Sequence, residues 1–281
     1  MATTEMIDTF SYEPFTQHAF YLEVNQELVR QALTHLPSPA TDQPLCIVDL
    51  ACGTGAISEL VVQELQRLGR SAHIIGADSS AAALERAALR LAGTPVTFVE
   101  NNLADLTGIT DHADLVFFCN AIHLIPQKAA LLTQLAQMLH PGGLLACNTT
   151  FFDGAYAEGT EGYYRLSIRR ALEYLRREYP GVRPSRQERA TAMDWLTADG
   201  YQQLFASAGF QPCAFNLHQG NMPLQAWRDI GSYSEFIEGA LPGIPLPLGA
   251  QALRAAADRV FSEMNLSFIP RYWLQITAAA R

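Results

Sequence analysis

Five short apolar runs follow one another through the first half of the chain: CIVDL (46–50), HIIGA (73–77), VTFV (96–99), DLVFFC (114–119) and GLLACNTTF (143–151). Each is continuous in hydrophobicity rather than alternating, the pattern of strands covered on both faces. Amphipathic stretches separate several of them. In GAISELVVQELQRLG, Ile57, Leu60, Val61, Leu65 and Leu68 recur at helical spacing, and Gly69 supplies a stop. In SSAAALERAALRLAG, Ser79 or Ser80 can cap, Leu84, Ala88 and Leu91 make the stripe, and Gly93 ends it. After Pro126 the pattern returns through Leu131, Leu135 and Met138. Strand–helix alternation at this spacing predicts an α/β fold on a parallel sheet.

Two more strands are expected late, at 212–217 and 272–280, with a helix near 250–264 between them. Residues 152–197 and 218–270 stand outside the strand–helix rhythm and read as helical insertions. Neither has a convincing core of its own, so they read as lids that can roof a pocket at the carboxyl edge of the sheet. A helix within 10–37 precedes the first strand and reads as an N-terminal cap. The expectation is a single domain over 1–281, with 45–151 as its cofactor-binding half.

With 49% hydrophobic and 17% charged residues in 281, the chain can build a sizeable core. A formal net charge of −9 and a pI near 5.2 argue against a nucleic-acid partner, which needs a basic face. No apolar stretch approaches the length of a membrane span. The opening residues, MATTEMIDTF, lack the basic start and apolar core of a signal peptide, which predicts a cytoplasmic location. The five cysteines form no C-x-x-C pair and lie in or beside apolar runs, as buried thiols do. No metal-ligand spacing is present. Nothing opposes a homodimer.

The stretch VDLACGTGAI (48–57) turns the first strand into a glycine-rich bend and then a helix. A helix starting there aims free N–H groups and the positive end of its dipole at the bend, which favours an anion. That anion can be the pyrophosphate of a dinucleotide or the carboxylate of an amino-acid-like cofactor. For a dinucleotide, the third glycine-motif position prefers a small residue; here it is Ser58. Asp78, closing the second strand, can accept hydrogen bonds from both hydroxyls of a ribose, and that serves either ligand.

The segments FVENNLADL (98–106), DLVFFCNAIHLIP (114–126) and MLHPGGLLACNTTF (138–151) break the tie. With them the chain resembles the class I S-adenosylmethionine-dependent methyltransferase family, in particular its small-molecule branch of quinone-biosynthetic and natural-product enzymes. The resemblance is close over 45–150 and looser over 198–217 and 270–281. It implies a Rossmann-like, seven-stranded, mostly parallel sheet with helices on both faces, and S-adenosylmethionine as cofactor. It further implies that Asp49, Ala51, Gly53 and Gly55 surround the methionine half. Asp78, with Ser79 beside it, would face the ribose, Asn102 and Leu103 the adenine, and the Asn120 backbone carbonyl the amine. Ala51 stands where the family often has glycine, and Asn102 where it more often has aspartate. In similar enzymes an N-terminal helix brings an aromatic residue to the cofactor; Tyr12, Phe15 and Tyr21 are the candidates, with Tyr21 preferred.

Methyl transfer is an in-line displacement in which the cofactor supplies the reactivity. His123, three residues past Asn120, is the candidate general base, with His18 and His218 as alternatives. Phe152, Tyr156, Trp195, Trp227 and Tyr233, with His218, are candidates for contacting an apolar or aromatic small-molecule acceptor. The arginines between Arg165 and Arg189 read as a solvated helix face. Three rival functions remain: an NAD-dependent oxidoreductase, a methyltransferase-like protein that binds the cofactor without transfer, and a cyclisation coupled to or replacing methyl transfer.

Overall fold

A computed structural model of the chain describes residues 10–36, 43–185 and 195–281. One sheet holds β1 (Leu45–Leu50), β2 (Ala72–Asp78), β3 (Val96–Glu100), β4 (Ala113–Cys119), β5 (Leu139–Thr149), β6 (Phe210–Pro223) and β7 (Phe268–Ala280). Their order is β3-β2-β1-β4-β5-β7-β6. The pairings from β3 through to β5 are parallel, and β7 runs antiparallel to β5. This is the Rossmann-like α/β architecture expected. After a single helical turn at Glu13–Thr16, the longer helices are α1 (Ala19–His35), α2 (Ala56–Leu68), α3 (Ala81–Arg90), α4 (Lys128–Met138), α5 (Glu161–Glu178), α6 (Ala198–Ser207), α7 (Leu224–Ile230), α8 (Ser234–Ala240) and α9 (Leu246–Glu263).

The chain divides into two compact units, each built from three segments. The sheet unit comprises Glu23–Asp153, Leu196–His218 and Trp273–Arg281. Its core sets Leu28, Val29 and Ala32 of α1 and Ile57, Val61 and Leu65 of α2 against Ile47, Leu115 and Phe117 of the sheet. Each such aliphatic or aromatic side chain contributes ~1.5–3 kcal/mol when fully buried. Tertiary burial, rather than propensity, therefore holds these helices. Two details depart from the periodicity. On α3 the stripe runs through Leu84, Ala87 and Leu91, while Ala88 is exposed. Leu68, the last residue of α2, is also exposed.

The inserted unit comprises Met1–Leu22, Gly154–Trp195 and Gln219–Tyr272. Neither long insertion has a core alone, but with Phe10 they share one. Ala171 and Leu175 of α5 meet Ile237 of α8, then Leu241 and Ile244, and Ala252, Leu253 and Ala256 of α9. Arg170 of α5 donates to Glu263 of α9 at 2.7 Å, and Arg259 reaches back to Glu173 at 3.5 Å.

No helix among the described residues is long and apolar enough to cross a membrane. Cys52, Cys119 and Cys147 are buried and Cys46 is half-buried, but Cys213 is exposed. It lies on β6, the last strand in the sheet order, where several residues are solvent-facing.

Candidate active site

The strand order reverses between β1 and β4, and the carboxyl ends of those strands flank the crevice where open α/β sheets take their ligands. Past β1 the backbone turns left-handed three times, at Ala51 (φ 57°), Gly53 (φ 53°) and Gly55 (φ 81°). For Ala51 this conformation costs about 1–2 kcal/mol. Glycine is favoured at 55 for a second reason: a Cβ there would stand 2.9 Å from Leu91 Cδ1 and 3.3 Å from Ala87 Cβ, so both neighbours would have to shift. At Gly53 a Cβ would meet nothing within 4 Å, so open space lies before it. No side chain caps α2, which leaves its first-turn amides and dipole directed at the bend.

The bend is clamped to the end of β2. The Gly53 amide donates to Asp78 Oδ2 at 2.8 Å, and the Cys52 amide to the Ala77 carbonyl at 3.1 Å. Asp78 Oδ1 accepts from the Ser80 amide at 2.9 Å, and Ser80, not Ser79, caps α3 by accepting from the Ala83 amide at 3.2 Å. Each Asp78 oxygen thus keeps a lone pair for a further donor. Arg90 of α3 donates to the Thr54 carbonyl at 3.0 Å. Ser79 lines an open cleft of about 500 Å³ together with Glu100, Asn101 and Asn102.

Asp49, next to last on β1, is 1% exposed and accepts from Ser58 Oγ at 2.6 Å. Burial pushes its carboxyl up to about 7, against the opposing pull of the Ser58 bonds. Ser58 is itself fully buried, so the residue at the third glycine-motif position serves to hold this acid.

Two side-chain turns shape the loop after β3. Asn101 Oδ1 accepts from the Leu103 amide at 2.8 Å and Asn102 Oδ1 from the Ala104 amide at 3.0 Å, with Leu103 at φ 63°. One lone pair of the Asn102 oxygen is therefore committed locally. After β4, Asn120 is left-handed at φ 54°. Its amide donates to the Asn148 carbonyl at 2.9 Å and its Oδ1 accepts from Trp273 Nε1 at 3.0 Å. Asn25 Oδ1, on α1, accepts from Asn148 Nδ2 at 2.9 Å. Asn25, Asn148 and Trp273 are buried and lie outside the sequence-read site. The available signal was Asn25 itself, a polar residue beside Val24 and Leu28 on the buried side of a helix.

His123 lies in a 3-10 turn (Ile122–Leu124) and is 3% exposed. Its ring stacks on Phe151 at 4.1 Å, with Nδ1 3.4 Å from Thr149 Oγ1. His218 does not enter the second insertion as expected, because β6 runs on to Pro223 and places it within that strand. Phe152, in the sheet unit, is buried.

The remaining candidates fall in the inserted unit. Tyr21 is buried, edge-on to Tyr12 at 5.9 Å and Phe15 at 5.8 Å, and Tyr12 meets Tyr233 at 5.0 Å. Tyr156 stacks on Tyr164 at 3.9 Å and stands edge-on to Trp195 at 5.9 Å. Trp227 packs on Tyr163 at 4.8 Å. His18 pairs with Asp229 at 2.8 Å. Arg169 pairs with Glu173 at 3.0 Å and Arg177 with Glu178 at 2.6 Å, both arginines exposed as a solvated face requires. Arg186 and Arg189 lie outside the described residues.

The strand order, the left-handed bend and the acid closing β2 are those of a Rossmann-like α/β domain, and its central segment is similar to known methyltransferases. Residues 47–143 match the family model described as a methyltransferase domain. Trans-aconitate 2-methyltransferase of Acidovorax ebreus (strain TPSY) is 36% identical over 128 residues, 46% of this chain and 47% of that protein. Ubiquinone biosynthesis O-methyltransferase of Cereibacter sphaeroides (strain ATCC 17025 / ATH 2.4.3) is 27% identical over 128 residues, 45% of this chain and 49% of that protein. The chain thus matches about half the length of these curated relatives. In fold, it superimposes on Haemonchus contortus phospholethanolamine N-methyltransferase 2, solved with phosphomonomethylethanolamine and S-adenosylhomocysteine. That match has a TM-score of 0.55 at 14% identity, over 100% of this chain and 60% of the other.

S-adenosylmethionine is the cofactor that the methyltransferase match implies, and the residues fit it. An uncapped helix start suits a carboxylate, a buried acid suits an ammonium, Asp78 retains acceptor capacity, and the polar cleft past β2 and β3 can take a nucleoside.

Proposed function

We propose that this chain transfers a methyl group from S-adenosylmethionine to a small-molecule acceptor with an apolar or aromatic body. The observation that carries the reading is the bend, where Asp78 holds the Gly53 amide, Ser58 of α2 holds Asp49, and Gly55 lies against Ala87 and Leu91, all within the segment matching the methyltransferase family. When bound, the cofactor supplies an electrophilic methyl on a sulfonium.

The chain's own residues bind and orient. First-turn amides of α2 hold the methionyl carboxylate, and ionised Asp49 lies on the side of the amine. Asp78 and Ser79 take the ribose, and Asn102 and Leu103 the adenine. The Asn120 carbonyl, presented by its left-handed backbone, adds an acceptor for the amine. Alignment of this kind is worth ~7–11 kcal/mol. Where the acceptor must lose a proton, His123 is the residue proposed to take it. A base contributes a further ~10²- to 10⁴-fold.

The curated relatives are named for trans-aconitate and for ubiquinone biosynthesis, which places small metabolites first among acceptors to try. The test is a survey with S-adenosylmethionine labelled in its methyl group, against carboxylic acids, phenols and amines. Label appearing in one small product supports the reading. Tight cofactor binding with no transfer to any class overturns it in favour of a cofactor-binding protein.

A further inference from the structure

The family match ends at residue 143, so it does not reach the residues of the inserted unit, where an unusual cluster lies. Arg271, at the inserted-unit end of β7, is 6% exposed. Its guanidinium carbon stands 5.0 Å from the centre of the Tyr156 ring, 5.5 Å from Tyr164 and 5.8 Å from Trp195. Nη1 donates to Tyr164 Oη at 3.1 Å, and the backbone is fixed by a bridge to Tyr156. A guanidinium this far from water is held by its interactions, among them these three ring faces and the Tyr164 hydroxyl.

Three further side-chain atoms in the same unit are buried and make no hydrogen bond, Ser167 Oγ and, on aromatic side chains, Tyr12 Oη and Trp227 Nε1. The Trp227 ring lies 5.6 Å from that of Tyr164, the residue bonded to Arg271. Tyr12 feels the Arg271 charge, which opposes the upward push of burial on its hydroxyl. Buried donors without partners are uncommon and call for an explanation. Here the two aromatic orphans and the buried cation come from the first and last segments of the unit, and the three rings around the cation from the middle one. Tyr233 donates to Glu235 at 2.5 Å, so an acid also borders the cluster and limits how much added negative charge it tolerates.

We propose that the inserted unit holds a recognition site for the carboxylate of a monoanionic organic acid, with Arg271, Tyr12 and Trp227 as donors and Tyr156, Tyr164 and Trp195 as walls for its apolar body. A carboxylate brings acceptor lone pairs to orphan N–H and O–H groups and a single charge to a guanidinium. Aromatic walls select against small inorganic anions. Resting on the methyl-transfer reading, the inference names the acceptor class as an aromatic or aliphatic carboxylic acid.

The test is calorimetric titration of the whole chain with benzoate, trans-cinnamate and octanoate, each beside its neutral primary amide, with and without S-adenosylhomocysteine. At least one acid is expected to bind roughly tenfold or more tightly than its amide. Arg271→Gln should abolish that preference. Should this variant not fold, Tyr12→Phe and Trp227→Phe decide. Tyr12→Phe removes an orphan hydroxyl at nearly constant volume, so a purely structural role predicts a melting temperature that holds or rises with acid binding unchanged. Trp227→Phe also removes buried ring atoms, so its melting temperature falls on either reading and acid binding alone is read. The proposal predicts the same melting behaviour with acid binding weakened several-fold. Acids binding no better than amides, or acid binding undiminished in the variants, overturns it. If S-adenosylhomocysteine fails to bind while the acid preference persists, the methyl-transfer reading falls and the carboxylate site stands.

Discussion

The two units carry their chemistry in different ways. In the sheet unit it is carried largely by backbone: left-handed turns at Ala51, Gly53 and Gly55, an uncapped helix start, and an aspartate that takes two amides. In the inserted unit it is carried by side chains gathered from distant segments, with Arg271 set among Tyr156, Tyr164 and Trp195. Backbone conformation restricts which residue can stand at a given position, whereas a side-chain cluster leaves little local trace. The first kind of site can be altered by a single Cβ, the second by removal of a single polar atom.

Gly55→Val tests the backbone side most severely. It combines a disfavoured φ of 81° with a Cβ at 2.9 Å from Leu91. The expected loss is about 3 kcal/mol or more, read by denaturant unfolding, and S-adenosylhomocysteine binding should vanish with it. Gly53→Ala, with nothing within 4 Å of its Cβ, should cost less stability, so equal losses would break the argument.

Asn25→Ala comes next. It removes the oxygen that accepts from Asn148 at 2.9 Å, leaving a buried donor unpaired. About 1–3 kcal/mol should be lost in unfolding experiments. Asn25→Asp, which keeps an acceptor there, should recover part of it.

Asp49 links the bend to pH. Its carboxyl is raised from 3.8 to about 7, so between those values the folded chain holds a proton that the unfolded chain has released. The free protein therefore loses stability as pH rises toward 7, and Asp49→Asn should flatten that dependence. Cofactor binding has the opposite sign, because an ammonium favours the ionised acid. Affinity for S-adenosylhomocysteine should fall by up to about tenfold per pH unit below 7, and by at least about tenfold at pH 8 in Asp49→Asn, roughly 1.4 kcal/mol. Titrations at pH 5.5, 7 and 8.5 check both.

The smallest effect expected is a gain. Ala51→Gly relieves a left-handed alanine at φ 57° while adding freedom to the unfolded chain. The two effects leave a net stabilisation of about 0.5–1 kcal/mol.

Legibility in the sequence followed the same division. The runs feeding β1 to β5 could be read because fully covered strands must be continuously apolar. Gly53, Gly55 and Asp78 could be read because a strand–bend–helix junction admits few alternatives. Ala88 was misread for Ala87 because periodicity alone does not say which of two adjacent alanines faces Gly55. Ser58 was weighed only against a dinucleotide motif, since its bond to Asp49 crosses from helix to strand. Asn25 meets Asn148 across 123 residues and Trp273 meets Asn120 across 153, which no local pattern records. Tyr156, Trp195, Trp227 and Tyr233 stood out as aromatics, yet Arg271 did not. It sits alone in a strand-like run, far from the arginine-rich α5 that drew the eye.

The most direct test of the central claim is calorimetric titration of the whole chain with S-adenosylhomocysteine and, separately, with NAD, in the native protein and in Asp78→Ala. The predicted result is micromolar binding of S-adenosylhomocysteine, about −8 kcal/mol, that is lost in the variant and absent for NAD. Binding of NAD alone, binding of neither ligand to folded protein, or S-adenosylhomocysteine affinity unchanged in Asp78→Ala would contradict it.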